Sequence, residues 1–254
     1  MCKTFLDYQT DSGSLMSKHI VAIHQPNYLP WLGFFYKIAR CDQFVLLDHV
    51  PFSKNSIQNR NRIKTPSGEH WITVPVLTKG RLNQPTNAVE INNNTKWNTS
   101  NWNSIRQNYR KAPEFSRYAR YFEDLYNHKW KKLVDLSETI IRFVIRELKI
   151  ETEITKSSDL NPEGTSTDML IDICKKLNAK AYLSGKGGLK YQSEEKFQEA
   201  GIMLSYHDFQ HPVYPQLYGE FVSHLSIIDL LFNCGVSSSS ILMRQSNVLH
   251  RNTQ

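Results

Sequence analysis

Apolar residues fall in short runs, and these runs alternate with segments of helical period. Ile20 to Ile23 is β-branched and brief, as a buried strand is. A loop with Pro26 and Pro30 follows, and Trp31 to Arg40 reads as a helix opening just after a proline. Gln43 to Asp48 reads as a second buried strand. This strand–loop–helix–strand unit favours parallel pairing. Residues 49–68 read as a long polar, basic loop, and loops of that length in a compact domain are usually functional. His70 to Leu77 reads as a strand that ends or lies at an edge because of Pro75. Residues 79–96 are Asn-rich and loop-like.

Residues 98–150 read as a helical block divided by Pro113. Its last helix spans about Lys131 to Leu148, with Leu133, Leu136, Ile140, Ile141, Val144 and Leu148 forming a core-facing stripe. Glu151 to Thr155 is a weak strand. Thr165 to Leu177 is a helix with Thr165 or Ser166 as N-cap, and Ala179 to Leu183 is another buried strand. After a Gly-rich loop, Ser193 to Ala200 is a short helix capped by Ser193 and stopped by Gly201. Ile202 to Tyr206 is a strand, His211 to Tyr218 a Pro- and Tyr-rich loop, and Leu225 to Phe232 a final apolar helix. The alternation predicts an α/β fold, a three-layer Rossmann-like parallel sheet with a helical insertion. Residues 1–17 read as a disordered tail or an overcalled start, with Met16 as the alternative initiator. Residues 18–240 read as one domain and 241–254 as a C-terminal tail.

Composition narrows the partners. Of 254 residues, 40% are hydrophobic and 22% charged, an ordinary globular balance, and no apolar run reaches 18 residues, so no transmembrane segment is expected. Cys2, Cys41, Cys174 and Cys234 are dispersed, which argues against a disulfide framework or a structural zinc site and fits a reducing cytoplasm. No metal ligands are assigned. The net charge of +7 points to an anionic partner, a phosphorylated small molecule. No Lys/Arg block of five occurs, so nucleic acid is not expected.

Five clusters carry candidate chemistry. His24, Gln25, Asn27, Tyr28, Trp31 and Gly33 lie just after the first strand, where open parallel sheets bind ligands. There His24 can move a proton near neutral pH, and Gly33 inside a helix suggests a close approach. The alternative is a rigid Pro-aromatic packing loop. Asp48, Lys54, Asn59, Arg60 and Arg62 on the long loop can bind phosphate or form a solvated basic loop. Ser184, Gly185, Lys186 and Gly187 can cradle an anion or make a tight turn. His207 to Pro215, with His211 and Tyr214, can supply a base. Ser226 and Asp229, three apart on an apolar helix, fit a buried hydrogen bond better than catalysis.

The blocks HQPNYLPWLGFFYKI, DQFVLLD, NRNRIKTPSGEHWITVPV, YLSGKGGLKY and HPVYPQLYGEFVSHLSIIDLLFNCG, in this order, resemble the WbqC-like family over residues 20–236. The resemblance implies a setting in bacterial surface-polysaccharide (O-antigen) biosynthesis. The expected activity is a transferase acting on a nucleotide-linked sugar, most simply by acyl or aminoacyl transfer to a sugar amine. His24, Asp48 and His211 are the candidate catalytic residues, with His24 as general base. Lys54, Arg60 and Lys186 would hold phosphates, and Tyr28 and Trp31 would stack on a ring. Trp31-Leu32-Gly33-Phe34 also falls where nucleotidyltransferases carry HxGH, with Gly33 matching and both histidines replaced. An ATP-dependent ligase or nucleotidyltransferase forming an adenylate, with ATP and Mg, is therefore one alternative. A non-enzymatic nucleotide-sugar-binding or scaffold protein is the other.

Overall fold

A computed structural model describes residues 19–244. The expected N-terminal tail, and the choice between Met1 and Met16, lie outside them. In chain order the first elements are β1 (Ile20–His24), α1 (Leu32–Ile38), β2 (Gln43–Leu46), β3 (Arg60–Thr65) and β4 (Gly68–Thr73). The helical block holds α2 (Trp97–Tyr109), α3 (Phe115–Asn127) and α4 (Leu133–Glu147). β5 (Glu153–Lys156), α5 (Ser157–Leu160), α6 (Ser166–Lys176), β6 (Ala181–Ser184), α7 (Glu194–Glu199) and β7 (Met203–Tyr206) follow. α8 (Ile227–Cys234) and α9 (Ser238–Met243) end the described chain.

Five strands form one parallel sheet in the order β5-β2-β1-β6-β7. The chain builds outward from β1 through β2 to β5, then crosses to β6 and β7 on the other side. Strand order therefore reverses at β1/β6, the arrangement of a Rossmann-like three-layer fold. Strand periodicity assigns the two faces. Val21, Ile23, Val45 and Tyr182 join Ile171, Ile173, Cys174 and Phe197 of α6 and α7. Ala22, Phe44, Leu46 and Leu183 face a larger core with α1, the helical block and α8.

Several expectations shift. The long loop at 49–68 is partly a hairpin, because β3 pairs antiparallel with β4 from Arg60↔Thr73 to Thr65↔Gly68. Its buried positions include Asn61 and Lys64, so the apolar alternation that marks a strand is hidden. Asn61 donates to the Leu29 carbonyl at 2.6 Å and Lys64 to Gln216 Oε1 at 3.1 Å, which satisfies both polar groups. The tail expected from 241 begins inside α9, where Ile241 and Leu242 are buried. Ser193 caps α7 through a bond from the Lys196 amide, whereas the Thr165 side chain makes no cap bond.

Candidate functional site

The carboxyl ends of β1, β6 and β7 lie side by side, and the loops leaving them carry the polar residues. β1 ends at His24. Its Nδ1 lies 2.8 Å from the Gln25 carbonyl, which can only accept, so Nδ1 carries the proton. Nε2 then keeps its lone pair and, among the described residues, makes no hydrogen bond, and the ring packs edge-on against Phe34 at 5.2 Å. β7 delivers His207, whose amide donates to the Ser184 carbonyl at the end of β6 at 3.0 Å. The His207 imidazole lies beside Gly185, and its buried Nδ1 has no hydrogen-bond partner among the described residues.

Beneath these histidines lies Lys37 of α1, 3% exposed, its ammonium donating to the Ile23 carbonyl at 2.7 Å. Burial lowers its pKa to about 8, against a weaker upward pull from Cys41. Burial, then the Lys37 charge, lowers His24 to about 4; the Gln25 carbonyl opposes this and His207 adds slightly. Burial and Lys37 likewise bring His207 to about 4, with Asp208 opposing. Both imidazoles are therefore neutral at physiological pH. Each offers a lone pair or an N–H to whatever enters.

A second unusual group sits on the same loop. Asn27 is 1% exposed, yet neither its Oδ1 nor its Nδ2 has a partner. A buried primary amide without partners is rare in folded proteins and marks a place where a ligand or water completes the structure. Next along, Trp31 stacks on His224 at 5.0 Å and meets Phe209 edge-on at 5.3 Å. Gly33 is required by that packing, because a Cβ there would stand 2.3 Å from the indole. The close approach expected at Gly33 is thus made by its own loop. His211 lies 5.3 Å from His224 and 5.8 Å from Phe209, with its Nε2 buried and unpartnered. Burial lowers its pKa.

Other candidates stand elsewhere or are already engaged. Tyr28 is fully buried and its hydroxyl meets Tyr126 and Asn101, so it cannot stack on a ligand. Tyr214 is buried and donates to Asp229 Oδ2 at 2.9 Å. Asp48, at the end of β2, accepts from Ser157 Oγ and from the amide and hydroxyl of Ser158, at 2.8–3.0 Å. It anchors α5, and none of these bonds involves His24. Gln25 accepts from Gln58 at 2.7 Å, and Asn59 donates to the Val74 carbonyl at 2.9 Å; both brace the hairpin.

The expected phosphate-holding cations are dispersed. Lys54 is exposed on a turn. Arg60 lies over the Trp71 ring at 4.5 Å with its Nε buried and unpartnered. Lys186 pairs with Asp208 at the surface. Ser184 donates to the Gly185 carbonyl at 3.2 Å, Gly185 leaves room for His207, and Gly187 is open. Sequence reasoning gave Lys37 no role, although it stands inside a block it singled out, and His207 entered only as the first residue of the His207–Pro215 cluster. A lysine at an interior position of an otherwise apolar helix was the available signal. Among the described residues no three His, Cys, Asp or Glu side chains gather as metal ligands, and no helix is long and apolar enough to cross a membrane.

The protein is thus a Rossmann-like α/β domain with two buried, neutral histidines, His24 and His207, on the strands that flank the reversal of strand order. It belongs to the WbqC-like protein family, whose profile matches residues 25–241. A protein of Mycobacterium tuberculosis, the uncharacterized protein Rv1507c, is similar to it. The two share 35% identity over 224 residues, covering 87% of this chain and 96% of the relative. No solved structure matches the chain.

Proposed function

We propose that this protein is a cytoplasmic transferase of bacterial surface-polysaccharide biosynthesis that modifies a nucleotide-linked sugar, by acyl or aminoacyl transfer to a sugar amine. The observation that carries the reading is His24. It is a neutral imidazole at the carboxyl end of the central strand, with Nδ1 fixed on a carbonyl and Nε2 free. Ligands of open α/β sheets bind at this position. The amine nitrogen attacks the acyl carbon, the new N–C bond forms, and Nε2 takes the amine's proton. The bond to the acyl carrier breaks as that carrier leaves with a proton. Lys186 would approach the phosphates from the rim, and Trp31 would border the sugar or base.

An adenylate-forming ligase or nucleotidyltransferase using ATP and Mg is the second reading. It is favoured by the strand order and by Trp31-Leu32-Gly33-Phe34 opening α1. The test is a thermal-shift screen against ATP, CTP, UTP, dTTP and nucleotide-linked sugars, followed by turnover of His24→Ala. A selective shift with one nucleotide-linked sugar, and turnover in the variant reduced by about 100-fold or more at similar affinity, is the expected result. A shift with ATP alone selects the second reading. Binding with no reaction to lose leaves a binding or scaffold protein.

A further inference from the structure

We propose that Lys37, with His207 above it, is the pole that binds a phosphoryl oxyanion of the ligand. This inference rests on the reading of the crevice as the ligand site and names the charge the ligand brings there. Lys37 is a buried ammonium with one acceptor, the Ile23 carbonyl, for its three N–H groups. Among the described residues no carboxylate lies within ion-pair distance of it.

The acidic groups nearby are committed elsewhere. Asp208 pairs with Lys186, Asp42 accepts from the Ile20 amide, and Asp48 holds α5. The groups that face the cluster are His24 at the end of β1, Cys41 after α1, and His207, Asp208 and Lys186 from the loops after β7 and β6. Apart from Asp208, which is already paired, none supplies negative charge at neutral pH. Burial of the Cys41 thiol pushes its pKa up to about 12, so it stays neutral.

A buried cation without a counter-ion is strongly unfavourable, and an entering anion removes that penalty. A phosphoryl group fits better than a carboxylate because it has more oxygens, which can accept both from the Lys37 ammonium and from an N–H of the neighbouring His207 ring. The surface cations Lys186 and Lys54 sit in water, where screening weakens each of them. The buried pole therefore dominates affinity.

The test uses inorganic pyrophosphate as probe, titrated into the full chain by calorimetry and by histidine-resolved NMR. Wild type is expected to bind, Lys37→Met to bind at least tenfold more weakly, Lys37→Arg to recover most of the loss, and Lys111→Ala, an exposed lysine of the helical block, to change affinity less than threefold. On the wild type alone, pyrophosphate should move the His24 and His207 resonances and raise both pKa values, a readout that a purely structural lysine would not give. Unchanged affinity in Lys37→Met, or histidine titrations indifferent to pyrophosphate, overturns the inference. So does the absence of pyrophosphate binding by wild type. If a nucleotide-linked sugar then still shifts wild type and Lys37→Met equally, the transferase reading survives without this pole.

Discussion

Asp229 offers the sharpest test of how the site's loops are held. It is fully buried in α8 and accepts from Tyr109 at 2.8 Å, Tyr214 at 2.9 Å and Gln216 at 2.7 Å. Burial raises its pKa, and the three donors oppose that rise. Gln216 cannot turn its amide around. Its Oε1 accepts from the Val222 amide at 2.9 Å, and its Nε2 donates to the Val222 carbonyl at 2.9 Å. Tyr109 is constrained as well, because its oxygen accepts from the Lys64 amide at 2.9 Å.

Asp229→Asn therefore sets its N–H against the Gln216 N–H in one amide orientation and against the Tyr109 O–H in the other, and strands at least one buried donor either way. That costs about 1–3 kcal/mol, reduced somewhat because a neutral amide is cheaper to bury than a carboxylate. Asp229→Leu strands all three donors and should cost more than Asn. Urea denaturation followed by circular dichroism measures both. For a chain of this size each kcal/mol corresponds to roughly 2–4 °C in Tm. An Asn variant within about 0.5 kcal/mol of wild type would refute the locked-donor reasoning. The loop bearing Tyr214 and Gln216 also bears His211 and runs on to His224, so the Asn variant should broaden their NMR signals.

Two further outcomes follow from the same geometry. His24 and His207 are held near 4 in the folded chain against 6.5 when unfolded, so the unfolded chain binds more protons between these values. Their stabilisation is complete above pH 6.5 and is lost as pH falls toward 4. It amounts to roughly 3 kcal/mol for the pair after allowing for solvent access, and a double His24→Gln/His207→Gln variant should flatten that part of the pH–stability curve. Gly33→Ala should displace the Trp31 indole, cost about 1–3 kcal/mol and change the near-UV circular dichroism, since the added Cβ overlaps the ring; an unaltered spectrum at unaltered Tm would contradict the packing.

The sheet was legible because its strands other than β5 begin or contain a short apolar run, and Ser193 and Gly201 bracket α7 in the residue types their backbone roles require. The β3–β4 hairpin was not, because Asn61 and Lys64 occupy inward positions and are satisfied by partners far away in sequence. α9 was hidden in a serine run that reads as low complexity. At the site, the position of the His24 loop followed from strand–loop–helix logic. Tyr28, Tyr214 and Asp48 look identical in sequence whether they face a crevice or a core. Only tertiary contacts with Tyr126, Asp229 and Ser157 decide their direction. Lys37 shows the reverse problem, because a lysine in a helix reads as solvated until the helix is seen to be buried on every side.

The pairing of Ile20 with Ala181 across the β1/β6 seam has a consequence for biosynthesis. β1 leaves the ribosome early and can zip onto β2 almost at once, but its other edge stays bare until β6 has been made. Through that interval the chain presents an unpaired central strand, the kind of edge that recruits other strands. Loop closure over this separation is slow. A nascent chain can thus carry β1 and α1, with His24 and Lys37, before the strands that flank them on the β6 side exist, and its bare edge calls most for chaperones before the last quarter is synthesised.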